Sequence, residues 1–384
     1  MTETSQFTPS VSNVSNVAIA EMFGGFTQIA DPRRAARPEW DRRVKESHQF
    51  LVDIRNGRRG LHEFREAMST ADFPLLFADS LDRQLYGAYM ATTPTWQNYA
   101  RAATVNDFRT VKRFATSGVR GLLKPVAELA EHERRGMDDA EFTYAVQKYE
   151  AGFALSFEAM INDDLSAFMR MPQDLADSAR DSEEAFVTNL ICDASGPNAD
   201  NYTVGNDNIL SGNPVLSRTN LQAAITVLMK RKDANGNPIQ VKAIQLVVGT
   251  GLSLTANEII HATEYRSVGA NGDVTIISGN GVAANLTVNT NYWIDSIATS
   301  ANADTSWWLF ADPNGPRPAL EFGRLRGYEA PALFEKIPDS RRIGGGAPEM
   351  FSFDTSASEK KIQHVFGGTF VDPKMTVASS GAGS

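Results

Sequence analysis

The sequence predicts an α+β protein, and three observations carry that prediction. Along Glu141–Ala194 the hydrophobic period changes once, from 2 residues to 3.6. Between about residues 195 and 315, a helix, an almost wholly apolar strand, a second helix and a meander of short strands succeed one another. Beyond Gly315-Pro316-Arg317-Pro318 the text returns to short strands.

Composition bounds the class. A chain of 384 residues, 42% hydrophobic and 22% charged, has an ordinary soluble composition with room for more than one core. No apolar run reaches the ~18 residues that cross a membrane, and the polar N-terminus lacks a secretory pattern. The single cysteine, Cys192, excludes an internal disulfide framework and reads as a small apolar residue at a helix end. The net charge of −9 argues against a dedicated nucleic-acid binder. That charge is uneven. Val126–Asp193 carries sixteen acids against five bases, whereas Asp31–Glu66 carries ten bases against seven acids. Either these are two solvated faces, or one subunit's arm is steered onto another's acidic face.

Taken in order, residues 1–30 read as a flexible arm without sustained period. Pro38–Asn56 and Leu61–Met68 read as charged helices too weakly apolar to form a core alone, so they must dock elsewhere. Asp72 reads as the cap of a better helix, with Pro74 early and Phe77, Leu81, Leu85 and Tyr89 at every fourth position. Trp96–Arg113 reads as extended. Phe114–Gly136 lacks a strong period and turns acidic, a long excursion between strands Asp107–Phe114 and Glu141–Phe157. In the returning strand the alternation slips at Gln147-Lys148, which predicts a β-bulge.

The next helix is placed over Pro172–Ala194. Pro172 suits its first position, Asp174 and Asp177 favour its positive end, and Ser195-Gly196-Pro197 stops it. Leu175, Ala179, Ser182, Phe186 and Leu190 make one narrow apolar stripe opposite a charged face. Downstream, Thr219 caps a helix, Ala243–Val248 is a strand buried on both faces, and Thr255–Tyr265 is a helix. Val274–Ile277, Leu286–Val288, Tyr292–Ile297 and Ser306–Phe310 read as strands, with hairpin signals at Asn271-Gly272 and Asn280-Gly281. Ala319–Phe322, Ala332–Lys336, Phe351–Asp354, Lys361–Phe366 and Thr369–Val371 are the last strands, and residues 376–384 read as a flexible tail.

No catalytic, cofactor or metal site is nominated. Gly279–Ala284 matches G-x-G-x-x-A after a strand, but Asn285–Val288 reads as another strand, and a dinucleotide fingerprint needs a helix there. His48, His62, His132, His261 and His364 never pair at helical spacing. Glu131-His132-Glu133 reads as a solvated run. Asp163-Asp164 are adjacent and point apart, which suits turn and cap duty. Asp233-x-Asn235-Gly236 opens like a calcium loop but lacks its closing glutamate.

This order of parts resembles the major capsid proteins of tailed phages with the Hong Kong 97-type fold. The string Glu150–Phe168, with its Asn162-Asp163-Asp164-Leu165 turn, looks like the Mu-like major head subunit group, as does the Phe73–Tyr89 helix followed by Trp96. The resemblance spans about residues 70–375. It implies an N-terminal arm with charged helices (1–72), a helix and connector (73–106), an E-loop (107–157), a turn and spine helix in the P-domain (158–194), an A-domain (195–315) and P-domain return strands (316–375). It implies hexamers and pentamers of this chain tiling an icosahedral head, formed in the host bacterial cytoplasm, around double-stranded DNA contacted non-specifically. Scaffold, portal and decoration proteins are possible partners; no membrane or cofactor is implied. Some relatives crosslink an E-loop lysine to a P-domain asparagine of a neighbour. Lys112, Lys124 and Lys148 are available, but no asparagine follows Asn314, so noncovalent contacts are expected. An encapsulin-like compartment and an enzyme with a cryptic active site are the alternatives.

Overall fold

The computed structural model describes residues 37–55, 58–60, 63, 67, 73–117, 125, 128, 138–156, 165–233, 236–268, 274–278, 286–315, 317–337, 343 and 352–383. Helices α1 (Pro38–Arg55) and α2 (Phe73–Ala91) precede a 3₁₀ turn, Thr95–Asn98. Strands β1 (Arg101–Val105), β2 (Val111–Ser117), β3 (Asp138–Tyr144) and β4 (Gln147–Ser156) lead to α3 (Leu165–Ile191). Next come β5 (Cys192–Asp193), β6 (Gly196–Pro197), α4 (Arg218–Met229), β7 (Ala243–Val248), α5 (Thr250–His261), β8 (Glu264–Val268), β9 (Val274–Ser278), β10 (Thr287–Thr290) and α6 (Trp293–Ile297). Strands β11 (Trp307–Ala311), β12 (Leu320–Leu325), β13 (Ala332–Glu335), β14 (Ala357–Phe370) and β15 (Thr376–Ser379) complete the chain. The mixture is α+β, as the periodicities predict. Among the described residues no helix is long and apolar enough to cross a membrane.

The chain forms two compact units. The first takes Met1–Thr93, Lys148–Asp181 and Gly327–Val365; the second takes Pro94–Gln147, Ser182–Arg326 and Phe366–Ser384. Helix α3 and strand β14 therefore each contribute residues to both.

In the first unit, Leu85, Tyr86 and Tyr89 of α2 meet Ala176 and Ala179 of α3, with Ala330 and Ile362. Arg180 is buried there: its Nε donates to the Tyr89 carbonyl at 3.0 Å and its guanidinium lies 3.5 Å from the Tyr89 ring centroid. Helix α1 docks on α2 mainly by polar contacts. Trp40 Nε1 donates to Asp79 at 3.1 Å, and Arg83 bridges Asp41 at 2.6 Å and Asp79 at 3.1 Å. This is how so weakly apolar a helix finds its place. Strand β14 pairs antiparallel with β13 (Phe334↔Lys361) and also carries β4. The Leu333 N–H, at the β13 edge, is taken by the buried Asp82 at 3.0 Å.

The second unit holds a four-stranded sheet in the order β10-β7-β11-β15. Every residue of β11 and β15 is buried. A second set of pairings joins β1 parallel to β12 and β12 antiparallel to the end of β14. Aromatic side chains fill this unit: Trp96 lies 4.3 Å from Phe322, Tyr99 lies 5.0 Å from Phe310, and Phe186 meets Phe366 edge-on at 5.5 Å.

Several sequence expectations need correction. The long helix begins at Leu165, so Pro172 lies inside it; one missing N–H is tolerated because the turns on either side continue the ladder. It ends at Ile191 rather than Ala194, and its 27 residues give a rod of about 40 Å. Its buried stripe is Pro172, Ala176, Ala179, Arg180, Glu183, Glu184, Val187, Thr188 and Ile191, whereas Ser182 is exposed. Within the span 107–157 the described strands have separate partners. β2 and β3 pair with each other, and β4 is held by β14, the two runs being separated by a strand break at Ala145-Val146, just before the Gln147-Lys148 position where a bulge is predicted. Within the expected tail 376–384, Thr376–Ser379 instead form a fully buried strand on β11. There the small side chains serve close packing, and Gly381, with φ +65°, turns against the Thr305 carbonyl where no Cβ fits. Tyr292–Ile297 is helical from Trp293, Thr255–Tyr265 is replaced by helix Thr250–His261 and strand β8, and Ser217, not Thr219, caps α4. Residues 353–355 form a turn. Asp72, both Asn-Gly signals and most of Leu61–Met68 lie outside the described residues.

Candidate functional site

The ribbon β2–β3 pairs antiparallel from Val111↔Tyr144 to Ser117↔Asp138. Among the described residues neither strand has a second partner, so each keeps one edge of N–H and C=O groups unused. Its root is fixed within the second unit. Tyr144 donates to the buried Glu321 carboxylate at 2.7 Å, and Arg113 Nε donates to the same oxygen at 2.6 Å. The Tyr144 ring lies over Gly323 so closely that a Cβ there would sit 2.7 Å from its hydroxyl. Burial first, then the Glu321 hydrogen bond, pushes the Tyr144 phenol above its usual range. Further out, Lys112 pairs with Glu141 at 2.8 Å, both in solvent. The root is a buried ionic anchor and the described shaft is open.

Helix α3 supplies the other unusual feature of the second unit, two adjacent buried carboxylates. Glu183 receives Trp96 Nε1 at 3.1 Å and Arg324 Nη2 at 2.9 Å. Glu184 receives Thr95 Oγ1 at 3.0 Å and Trp96 N–H at 3.3 Å, and it also accepts the Thr95 N–H. It thus caps the 3₁₀ turn Thr95–Asn98 from a distant helix. Burial raises the Glu184 carboxyl above the ordinary glutamate range, the hydrogen bonds from Thr95 and Trp96 opposing the shift. These lone pairs are spent on fixed internal donors, which is positioning chemistry. Sequence reading missed both acids by counting them among solvated charges. The signal was their phase: Glu183 and Glu184 fall in step with Ala176, Ala179 and Val187.

The motifs weighed from sequence gain little from the structure. Cys192 is buried, and burial followed by Asp193 and Asp295 pushes its thiol up to about 12, as suits a packed residue. His48 lies 3.2 Å from the Gln84 amide, and His364 stands edge-on to Tyr89 at 5.6 Å. Asp233 accepts the Asn237 N–H at 2.9 Å in a turn. Gly279–Ala284, Glu131-His132-Glu133, Asp163-Asp164, His62 and Lys124 lie outside the described residues. Among the described residues no group of three or more His, Cys, Asp or Glu could hold a metal ion.

Against known proteins, a family model described as phage capsid protein matches residues 140–379. No curated protein matches by sequence. Solved structures that superpose include one from Mycobacterium phage Che8, at 12% identity over 72% of this chain and 85% of that one, with a TM-score of 0.41. A virus-like particle from Pyrococcus furiosus superposes at 8% identity over 79% and 99%, with a TM-score of 0.43. An encapsulin complex from Synechococcus elongatus superposes at 7% over 76% and 89%, with a TM-score of 0.46.

Proposed function

We propose that this chain, which belongs to the phage capsid protein family, is the major head subunit of a tailed phage or prophage. Membership in that family makes it a structural protein of a capsid. On our reading it has the Hong Kong 97-type fold and tiles an icosahedral head as hexamers and pentamers around double-stranded DNA.

The observation that carries the mechanism is the β2–β3 ribbon: a two-stranded sheet with no further strand partner among the described residues and a buried ionic root. An isolated hairpin is marginal in water, so the missing cover comes from another copy. On this reading the ribbon is the working part of the E-loop, α3 is the spine of the P-domain, and the segment around 195–315 is the A-domain. Each contact is modest, and a closed shell repeats it many times. The DNA is confined by the wall and contacted without sequence preference. We place the basic segment Asp31–Glu66 on the inner face; cryo-EM density for it on the outside would reject that placement.

Negative-stain imaging of the expressed protein tests the reading. Closed particles of uniform size are the expected result, and a small discrete oligomer with turnover would overturn it. On denaturing gels the shell is expected to dissolve to monomer. Lys112 already pairs with Glu141, and no asparagine follows Asn314. A ladder of covalent oligomers would contradict this.

A further inference from the structure

Gly152 lies within β4, in the first unit, where nothing among the described residues requires glycine. Its φ is outside the left-handed region, and a Cβ there would meet nothing nearer than the Lys360 carbonyl at 3.9 Å. Glycine nevertheless weakens a strand, and inside one it commonly marks close approach by another backbone. Two residues on, the exposed Ala154 points to the same side by the strand's alternation. Together they floor a groove of about 500 Å³ that Phe153 of β4 and Phe334 of β13 also line. Its lining and rim carry three ion pairs, Lys361–Glu150 at 3.3 Å, Lys336–Glu359 at 2.9 Å and Lys360–Glu335, with the Lys361 ammonium 5.5 Å from the Phe334 ring centroid.

We infer that this groove is a docking surface for a second copy of this chain. The inference rests on the capsid reading for the identity of the partner and goes beyond it in naming the receiving residues. The charge pattern selects that partner. Three lysines and three glutamates, Lys336, Lys360 and Lys361 paired with Glu359, Glu335 and Glu150, leave no net positive field, so the surface offers nothing to a polyanion such as DNA. A balanced face tolerates a copy of the same protein, and the bare floor admits a backbone where any larger side chain would hold it off. Along β4, β14 is the only strand paired among the described residues, so the far edge of β4 can add main-chain bonds to the same visitor.

The test uses the full chain carrying Ala154→Cys, the native Cys192 being buried. Maleimide labelling at position 154 is expected to be fast in unassembled subunits and at least about tenfold slower in assembled particles. Equal rates in both states overturn the inference while leaving the capsid reading intact. Slow labelling already present in free subunits means the chain covers its own groove, which also overturns it. Protection that appears only when DNA or another virion protein is added does the same. If no particles form from the parent chain, it is the capsid reading that fails. Gly152→Trp is the second variant. It is expected to keep the melting temperature of the free subunit and to lower the assembled fraction about tenfold, with Gly152→Ala close to the parent. Normal assembly of Gly152→Trp overturns the inference.

Discussion

The β2–β3 ribbon and the β11–β15 pair use the same antiparallel bonding and meet opposite fates. In β11–β15, Trp307 to Ala311 and Thr376 to Ser379 are all buried, and β7 continues the sheet on the other side of β11. In the ribbon, Lys112, Glu141 and Thr143 are exposed and no third strand is described. A strand pair stabilises a fold only when a face is covered, since hydrogen bonds exchanged with water return little. The first pair is therefore core. On the proposed reading, the second is binding capacity held by its anchor at Glu321.

That contrast can be broken at graded cost. Trp308→Ala in β11 removes a fully buried ring whose Nε1 donates to the Ile191 carbonyl at 3.1 Å. We expect a loss of about 3–5 kcal/mol in urea unfolding, enough to depopulate the fold. A change under ~1 kcal/mol would show that this sheet is no more core than the ribbon. Glu321→Gln at the ribbon root weakens the acceptor shared by Tyr144 and Arg113. It is expected to cost about 1–3 kcal/mol and to raise hydrogen exchange in Val111–Tyr144 before exchange rises elsewhere. Uniform exchange changes would mean that the ribbon is not separately hinged.

Glu184 gives a pH-dependent contrast. Because its carboxyl is raised in the folded state, the folded protein binds that proton more tightly than the unfolded chain. Its contribution is full below the unfolded value and is lost as pH rises through the folded one. Unfolding free energies from mildly acid to neutral pH are thus expected to fall less steeply in Glu184→Gln than in the parent. An unchanged slope would remove Glu184 as the cause. The smallest effect belongs to the ribbon shaft. Lys112→Ala breaks an exposed pair with Glu141 and is expected to change subunit stability by under ~1 kcal/mol. A larger loss would mean that the shaft is already covered in the free subunit.

Much of this architecture was legible in sequence where one period ran long enough. Ala243–Val248 came out with its predicted bounds, and α2 buried Leu81, Leu85 and Tyr89. The errors cluster where short-range chemistry gave two answers. Pro172 is a good helix start, yet the preceding residues are also helix formers and carry the helix through it. Small residues at 376–384 read equally well as a loose tail or as a strand for a tight slot. The groove at Gly152 was invisible for a related reason, since glycine in a strand looks the same whether it faces solvent or a partner.

By itself, the sequence determined the α+β class, the long helix and the strand-rich end. Those come from periodicity and spacing, which are properties of neighbours along the chain. Only the tertiary structure decided which face of α3 is inside, why Glu183 and Glu184 can be buried, and that β4 belongs to β14 rather than to the ribbon. Each of these depends on partners far away in sequence, Trp96 and Arg324 for Glu183 and Thr95 for Glu184. A buried charge is stable only when such partners arrive, and no local pattern records their arrival.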